Sequence, residues 1–163
     1  MALRHRALSP FGAEVGLDLS RPLDEADQQT LRDLFRRQKL LVFRDQHLSQ
    51  ADQMRAVGYI GPVLPPEKEH LELSLDDVSG RVPCAYHADI WFTPEPYRRL
   101  SLYAIDIDGE TATHFVNGIH AAAALPASLR ARLTTVEATF ISPRRLDRRE
   151  VDYDIPPSRP QHR

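Results

Sequence analysis

The sequence predicts an α+β domain, mainly β with helices flanking the strands. Two observations carry this. Short runs rich in aliphatic, β-branched and aromatic residues recur at 40–43, 100–107 and 134–141. Between and around them lie segments with helical spacing and recognisable start and stop signals. The chain has 163 residues, 42% hydrophobic and 27% charged, which suffices for one domain with a real core.

The elements follow in order. Residues 12–19 alternate small or polar with apolar side chains and read as a short strand, with Gly12 and Gly16 permitting a bulge or close approach. Asp24 is a good N-cap, Glu25 and Asp27 sit in the first turn, and Leu31, Leu34 and Phe35 recur at helical spacing. A helix over 25–38 follows, with Arg36, Arg37 and Lys39 at its C-terminal end. The apolar run 40–43 suits a strand buried on both faces. Ser49 and Asp52 form a capping-box pair ahead of a second helix, whose inner face would hold Met54, Val57 and Ile60 and which Gly61-Pro62 stops.

Residues 62–83 are proline-rich and acidic, a loop long enough to act as a lid or a solvated connection. Residues 86–92 read as extended, and Thr93-Pro94-Glu95-Pro96 turns the chain. A clean strand is expected over 100–107 and a short one over 113–116. Asn117 caps a helix over 118–124, Pro126 opens another over 127–132, and 134–141 alternates as a strand. Residues 143–163 hold many Arg and Asp, four Pro and few apolar residues, and are expected to be a mobile tail or a broken-off connection.

Composition excludes several classes. A formal net charge of −2 gives no support for a nucleic-acid partner. No apolar run approaches a membrane span, and no apolar stretch follows the basic start as a signal peptide would require. The single cysteine, Cys84, forbids an internal disulfide and fits a reducing cytoplasm. Cys84 reads as a small buried side chain rather than a thiolate ligand.

Chemistry concentrates in Tyr86-His87-Ala88-Asp89-Ile90-Trp91-Phe92. In a strand, residues i and i+2 share a face. His87 and Asp89 would then present an imidazole and a carboxylate side by side, able to share one divalent metal. Two His and one carboxylate on one face, with open positions opposite, is the ligand set of non-haem Fe(II) oxygenases. A His–acid pair at this spacing is a weak signal alone, and an inert hydrogen-bonded pair is its plain alternative.

Four blocks in order sharpen it. Residues 12–23, residues 40–46 with the helix after them, Tyr86-His87-Ala88-Asp89, and 111–117 followed by 122–126 together resemble the taurine dioxygenase/TfdA-like family of Fe(II)- and 2-oxoglutarate-dependent dioxygenases. The resemblance runs to about residue 126 and is faint after 140. It implies a double-stranded β-helix, or jelly roll, with helices outside. It implies His87 and Asp89 as the first two iron ligands, and Thr113 as a hydroxyl on the distal carboxylate of 2-oxoglutarate. The implied cofactors are Fe(2+), 2-oxoglutarate as cosubstrate and O2. The implied reaction oxidises a C–H bond of a small organic substrate and releases succinate and CO2. A homo-oligomer is compatible with the chain.

Strict alternation puts Trp91 on the face of His87 and Asp89, whereas the resemblance makes Ile90 and Phe92 the substrate-lining residues. Plain core packing explains all three equally well.

The chain also departs from the family. Tyr86 stands where the family has Trp, Glu110-Thr111 replaces paired glycines, and Val63-Leu64-Pro65-Pro66 lacks the His of taurine-using members. The family's third ligand, a His, and its 2-oxoglutarate-binding Arg lie near the end of a chain nearly twice as long. His162-Arg163 comes too early, and neither His114 nor His120 stands at a ligand position. The jelly roll is therefore expected to be incomplete, residues 1–142 being its N-terminal part and the chain a fragment or truncated gene product. Two other readings fit the same residues: a non-catalytic remnant or interaction module of that fold, and a cupin-like metal-binding protein.

Overall fold

In the computed structural model, residues 3–63, 86–89, 91, 96–107 and 109–138 are described, together with the backbone of Pro143–Arg145 and Glu150–Val151. The chain divides into two units. The first comprises Met1–His70 with Ser101–Glu110, and the second Leu71–Leu100 with Thr111–Arg163.

The first unit is built on a three-stranded sheet of β1 (His5–Ala7), β2 (Ala13–Val15) and β3 (Leu41–Val42), in the order β1-β2-β3. β1 pairs antiparallel with β2, Arg6 facing Glu14. β2 pairs parallel with β3, Ala13 facing Leu41. A parallel pair needs a crossover, and α1 (Glu25–Gln38) supplies it. The expected strand over 12–19 is a ladder only at Ala13–Val15, yet its alternation continues, with Ala13, Val15 and Leu19 all buried. β1 was not legible, because its residues are exposed and carry no alternation. β3 is an edge strand of two half-buried residues rather than one buried on both faces.

Gly12 explains how β2 can lie against residue 40. Its φ is 101°, and a Cβ there would meet both the Cβ and the carbonyl oxygen of Leu40 at 3.3 Å. The Ala13 N–H donates to that same Leu40 carbonyl at 2.9 Å.

Both long helices start where the caps place them. The Asp24 carboxylate accepts from the Asp27 N–H at 2.8 Å, and α1 ends at Lys39 in the left-handed region. α2 (Gln50–Ile60) begins in a full capping box: Asp52 N–H donates to Ser49 Oγ at 3.2 Å, and Ser49 N–H donates to Asp52 Oδ2 at 3.0 Å. Leu31 and Leu34 of α1 are buried as expected. The inner face of α2 is Ala56 and Tyr59 rather than Met54 and Val57, with Ile60 packed at its margin. Tyr59 turns inward because its hydroxyl finds a donor there, the Leu23 N–H at 3.2 Å.

Side-chain hydrogen bonds tie Ser101–Glu110 to this unit. Ser101 Oγ accepts from Gln53 at 3.3 Å, and the Tyr103 hydroxyl accepts from the Leu48 N–H at 3.0 Å. The strand expected over 100–107 is absent among the described residues of that stretch. A strand exists only through a ladder, and no described neighbour provides one, so Leu102, Ile105 and Ile107 stay exposed.

In the second unit, α3 (Gly118–Ala123) starts at Asn117, whose side chain accepts from the Ile119 N–H at 3.0 Å, and α4 (Ala127–Leu133) starts after Pro126. β4 (Pro143–Arg145) and β5 (Glu150–Val151) pair antiparallel within the stretch expected to be a mobile tail or a broken-off connection. The expected strand over 113–116 does not form. Of the strand expected over 134–141, residues 134–138 turn and then run without regular structure. Among the described residues, helices therefore outweigh strands, and the architecture is a small sheet with flanking helices. The loop and His70, apart from Pro62 and Val63, lie outside the described residues, as do Cys84 and His162-Arg163. No helix among the described residues is long and apolar enough to cross a membrane.

Candidate metal centre

His87 and Asp89 meet. His87 Nε2 and Asp89 Oδ1 are 3.1 Å apart, with side chains 55% and 36% exposed. The pair is thus reachable from solvent. Two donor atoms each about 2.1 Å from one ion, at adjacent corners of an octahedron, would be about 3.0 Å apart. The observed separation is also that of a hydrogen bond between ring nitrogen and carboxylate, so the distance fits both the inert pair and two donors to one divalent ion.

The route to this contact differs from the expected strand. Residues 86–89 make no ladder, and the chain turns at Asp89 and at Trp91. The prolines at 94 and 96, which cannot donate to a ladder, follow closely. The two side chains therefore meet where the chain turns, not along a pleat.

Thr113 lies in the same unit as the pair, exposed and outside any strand. Trp91 is half-buried and engaged in contacts of its own. Ile90 and Phe92 lie outside the described residues. His114 and His120 are exposed, and among the described residues no group of three His, Cys, Asp or Glu gathers to hold a metal. The pair thus has no third His or acid beside it among those residues.

A polar groove elsewhere, of about 410 Å³, is lined by residues 14–18 and 44–46 of the first unit. It has no part in this pair. Its walls explain why residues 12–23 and 40–46 occur together. Gln46 Nε2 donates to the carbonyls of Leu17 at 2.8 Å and Arg44 at 2.7 Å, and its Oε1 accepts from the Leu19 N–H at 2.9 Å. One amide side chain thus takes the place of a missing ladder beside residues 17–19. Arg44 approaches Glu14 at 3.7 Å, and Asp45 makes a left-handed turn at φ 55°. Asp18 is held below the usual carboxylate range by hydrogen bonds from the Ser20 hydroxyl and N–H, with Arg21 adding to them.

Comparison with solved structures finds similar proteins, three of which follow. AAD-2, solved in complex with Mn(II) and N-oxalylglycine, is 26% identical over 59% of this chain and 39% of its own, with a TM-score of 0.45. A Burkholderia xenovorans protein, provisionally described as an alpha-ketoglutarate-dependent 2,4-D dioxygenase, is 24% identical over 58% of this chain and 35% of its own, at a TM-score of 0.43. A second Burkholderia xenovorans protein, provisionally described as an alpha-ketoglutarate-dependent taurine dioxygenase, is 17% identical over 86% of this chain and 56% of its own, at a TM-score of 0.61. The last shares the fold. The chain spans between about a third and just over half of the length of these proteins. No curated protein matches. The family model described as taurine catabolism dioxygenase TauD, TfdA family, matches residues 4–163, and the chain belongs to that family.

Proposed function

We propose that this chain carries part of the active site of a non-haem Fe(II)- and 2-oxoglutarate-dependent dioxygenase acting on a small organic substrate. The observation that supports it most is the 3.1 Å approach of His87 Nε2 to Asp89 Oδ1, in a chain of the TauD/TfdA family. His87 supplies a neutral nitrogen and Asp89 an anionic oxygen, the donor types that suit iron and manganese. Bound there, Fe(II) would supply the oxidative chemistry with O2 and 2-oxoglutarate, and succinate and CO2 would leave. His87 and Asp89 would hold the ion from this chain. Thr113 offers a hydroxyl to the distal carboxylate of 2-oxoglutarate, and Ile90, Phe92 and Trp91 shape the substrate side. The third ligand and a cation for the 2-oxoglutarate carboxylate come from outside residues 1–163. The jelly roll is accordingly completed from there, with residues 1–142 as its N-terminal part and 143–163 as a polar connection.

Succinate formation from 2-oxoglutarate with Fe(II) and ascorbate tests this, in a protein in which residues 1–163 are joined to the distal part of a family member. Release of succinate that falls at least about a hundredfold in His87→Ala is the expected outcome, since a lost ligand costs more than a lost ligand-orienting partner. Equal release by wild type and His87→Ala would refute the assignment.

A further inference from the structure

Asn117 is the only asparagine in the chain, and the residue after it is Gly118. An asparagine side chain carries an electrophile, the carboxamide carbon Cγ, one ring closure away from the backbone nitrogen of the next residue. Attack by that nitrogen closes a cyclic imide. A Cβ on the following residue crowds the approach, and glycine has none. What slows the reaction in a folded protein is restraint on the side chain and on the peptide behind it. Here the restraint is slight. The Asn117 carboxamide oxygen accepts from the N–H groups of Ile119 at 3.0 Å and His120 at 3.2 Å, and among the described residues nothing else holds that side chain. Both donors lie in the first turn of α3, a helix of six residues that buries no side chain. A helix so short is marginal in water and opens from its ends, and Gly118 adds no helix propensity. A Cβ built on Gly118 would meet nothing within 4 Å, so no described neighbour packs over the peptide that has to turn.

We propose that Asn117–Gly118 is a spontaneous modification site, at which the chain deamidates with water as the only co-reactant. The Gly118 nitrogen bonds to Asn117 Cγ and gives up its proton, the Cγ–Nδ2 bond breaks, and ammonia leaves. Water then opens the imide. Breaking the new Cγ–N bond gives aspartate at 117. Breaking the original peptide bond leaves the chain running through the side chain, as isoaspartate. Aspartate keeps a cap oxygen and adds a negative charge that suits a helix start. Isoaspartate adds a methylene to the main chain and displaces the carbonyl of residue 117 from the Ala121 N–H, which donates to it at 2.9 Å. The two products thus keep or destroy the start of α3. The site does not depend on the dioxygenase reading.

The test holds the chain at neutral pH and physiological temperature beside a peptide of residues 112–122, which has no fold to restrain it. Mass spectrometry with fragmentation follows residue 117 in both. Fragmentation is needed because Asp108-Gly109 can form the same imide. A neutral N-cap shifts the closed-to-open ratio by no more than about tenfold. The chain should therefore convert Asn117 to aspartate and isoaspartate within about tenfold of the peptide's rate. Gly118→Ala leaves the cap residue in place and fills open space, and should slow the conversion at least about tenfold. Conversion in the chain more than about tenfold slower than in the peptide would show that the fold protects the site, and overturns the proposal. Equal rates in wild type and Gly118→Ala overturn it as well, because the loss of ammonia would then not run through attack by the nitrogen of residue 118.

Discussion

Gln46 shows how one side chain can hold a fold motif together. Its amide joins the backbone of residues 17–19 to that of the 44–46 turn through three hydrogen bonds of 2.7–2.9 Å. Leu19 is buried, so losing the acceptor leaves its N–H without a partner. Gln46→Ala should lower the unfolding free energy by about 2–3 kcal/mol. Gln46→Glu keeps the acceptor and loses both donors, so it should lie between the two in chemical denaturation. Equal stability of all three proteins would contradict this role. At this scale the sequence spoke unevenly. His87 and Asp89 were legible as a pair because two positions apart is close enough for their side chains to meet, and the four ordered blocks singled them out from a spacing that is weak alone. Gln46 was legible only as the last letter of a block, since an amide bonding across 29 residues leaves no local pattern.

Among elements, α1 and α2 were read correctly at their starts because caps are local chemistry. Asp24, Ser49 and Asp52 act within three residues of themselves. The strands were read less well, because a strand is a property of its partners. Residues 100–107 alternate as a strand should, but no described neighbour makes a ladder with them. The capping box of α2 also sets a pH response. Hydrogen bonds from the Ser49 hydroxyl and N–H, and then from Arg55, lower the Asp52 carboxyl to about 2. A folded-state value below the unfolded one means the ionised form favours the native state. Its contribution is present above about pH 4, the unfolded range, and is lost as pH falls toward about 2. In Asp52→Asn, the acid limb of a stability-against-pH curve should flatten between about pH 4 and 2. An unchanged limb would show that Asp52 contributes nothing through its charge.

The molecule as a whole is uneven. In the first unit, Ala13, Val15, Leu19, Leu31, Leu34, Ala56 and Tyr59 form one buried cluster, closed over by Leu17, Leu41, Phe43 and Ile60. In the second, α3 and α4 bury nothing, and the His87–Asp89 pair is open to solvent. The apolar residues Phe115, Val116, Ile119, Leu129, Leu133 and Val136 of the second unit stay exposed. The family was legible from four ordered blocks, and the helices and a small sheet from spacing, caps and apolar runs. The site was legible as two donors, because a third ligand has no counterpart among the described residues.

The central claim is that His87 and Asp89 reach one ion. Manganese titration followed by electron paramagnetic resonance tests it most directly, on wild type, His87→Ala, Asp89→Ala and the double variant. Sharing one ion predicts that each single variant weakens Mn(II) binding roughly tenfold or more, and that the double variant is scarcely worse than either. Equal Mn(II) affinity in all four proteins would contradict it.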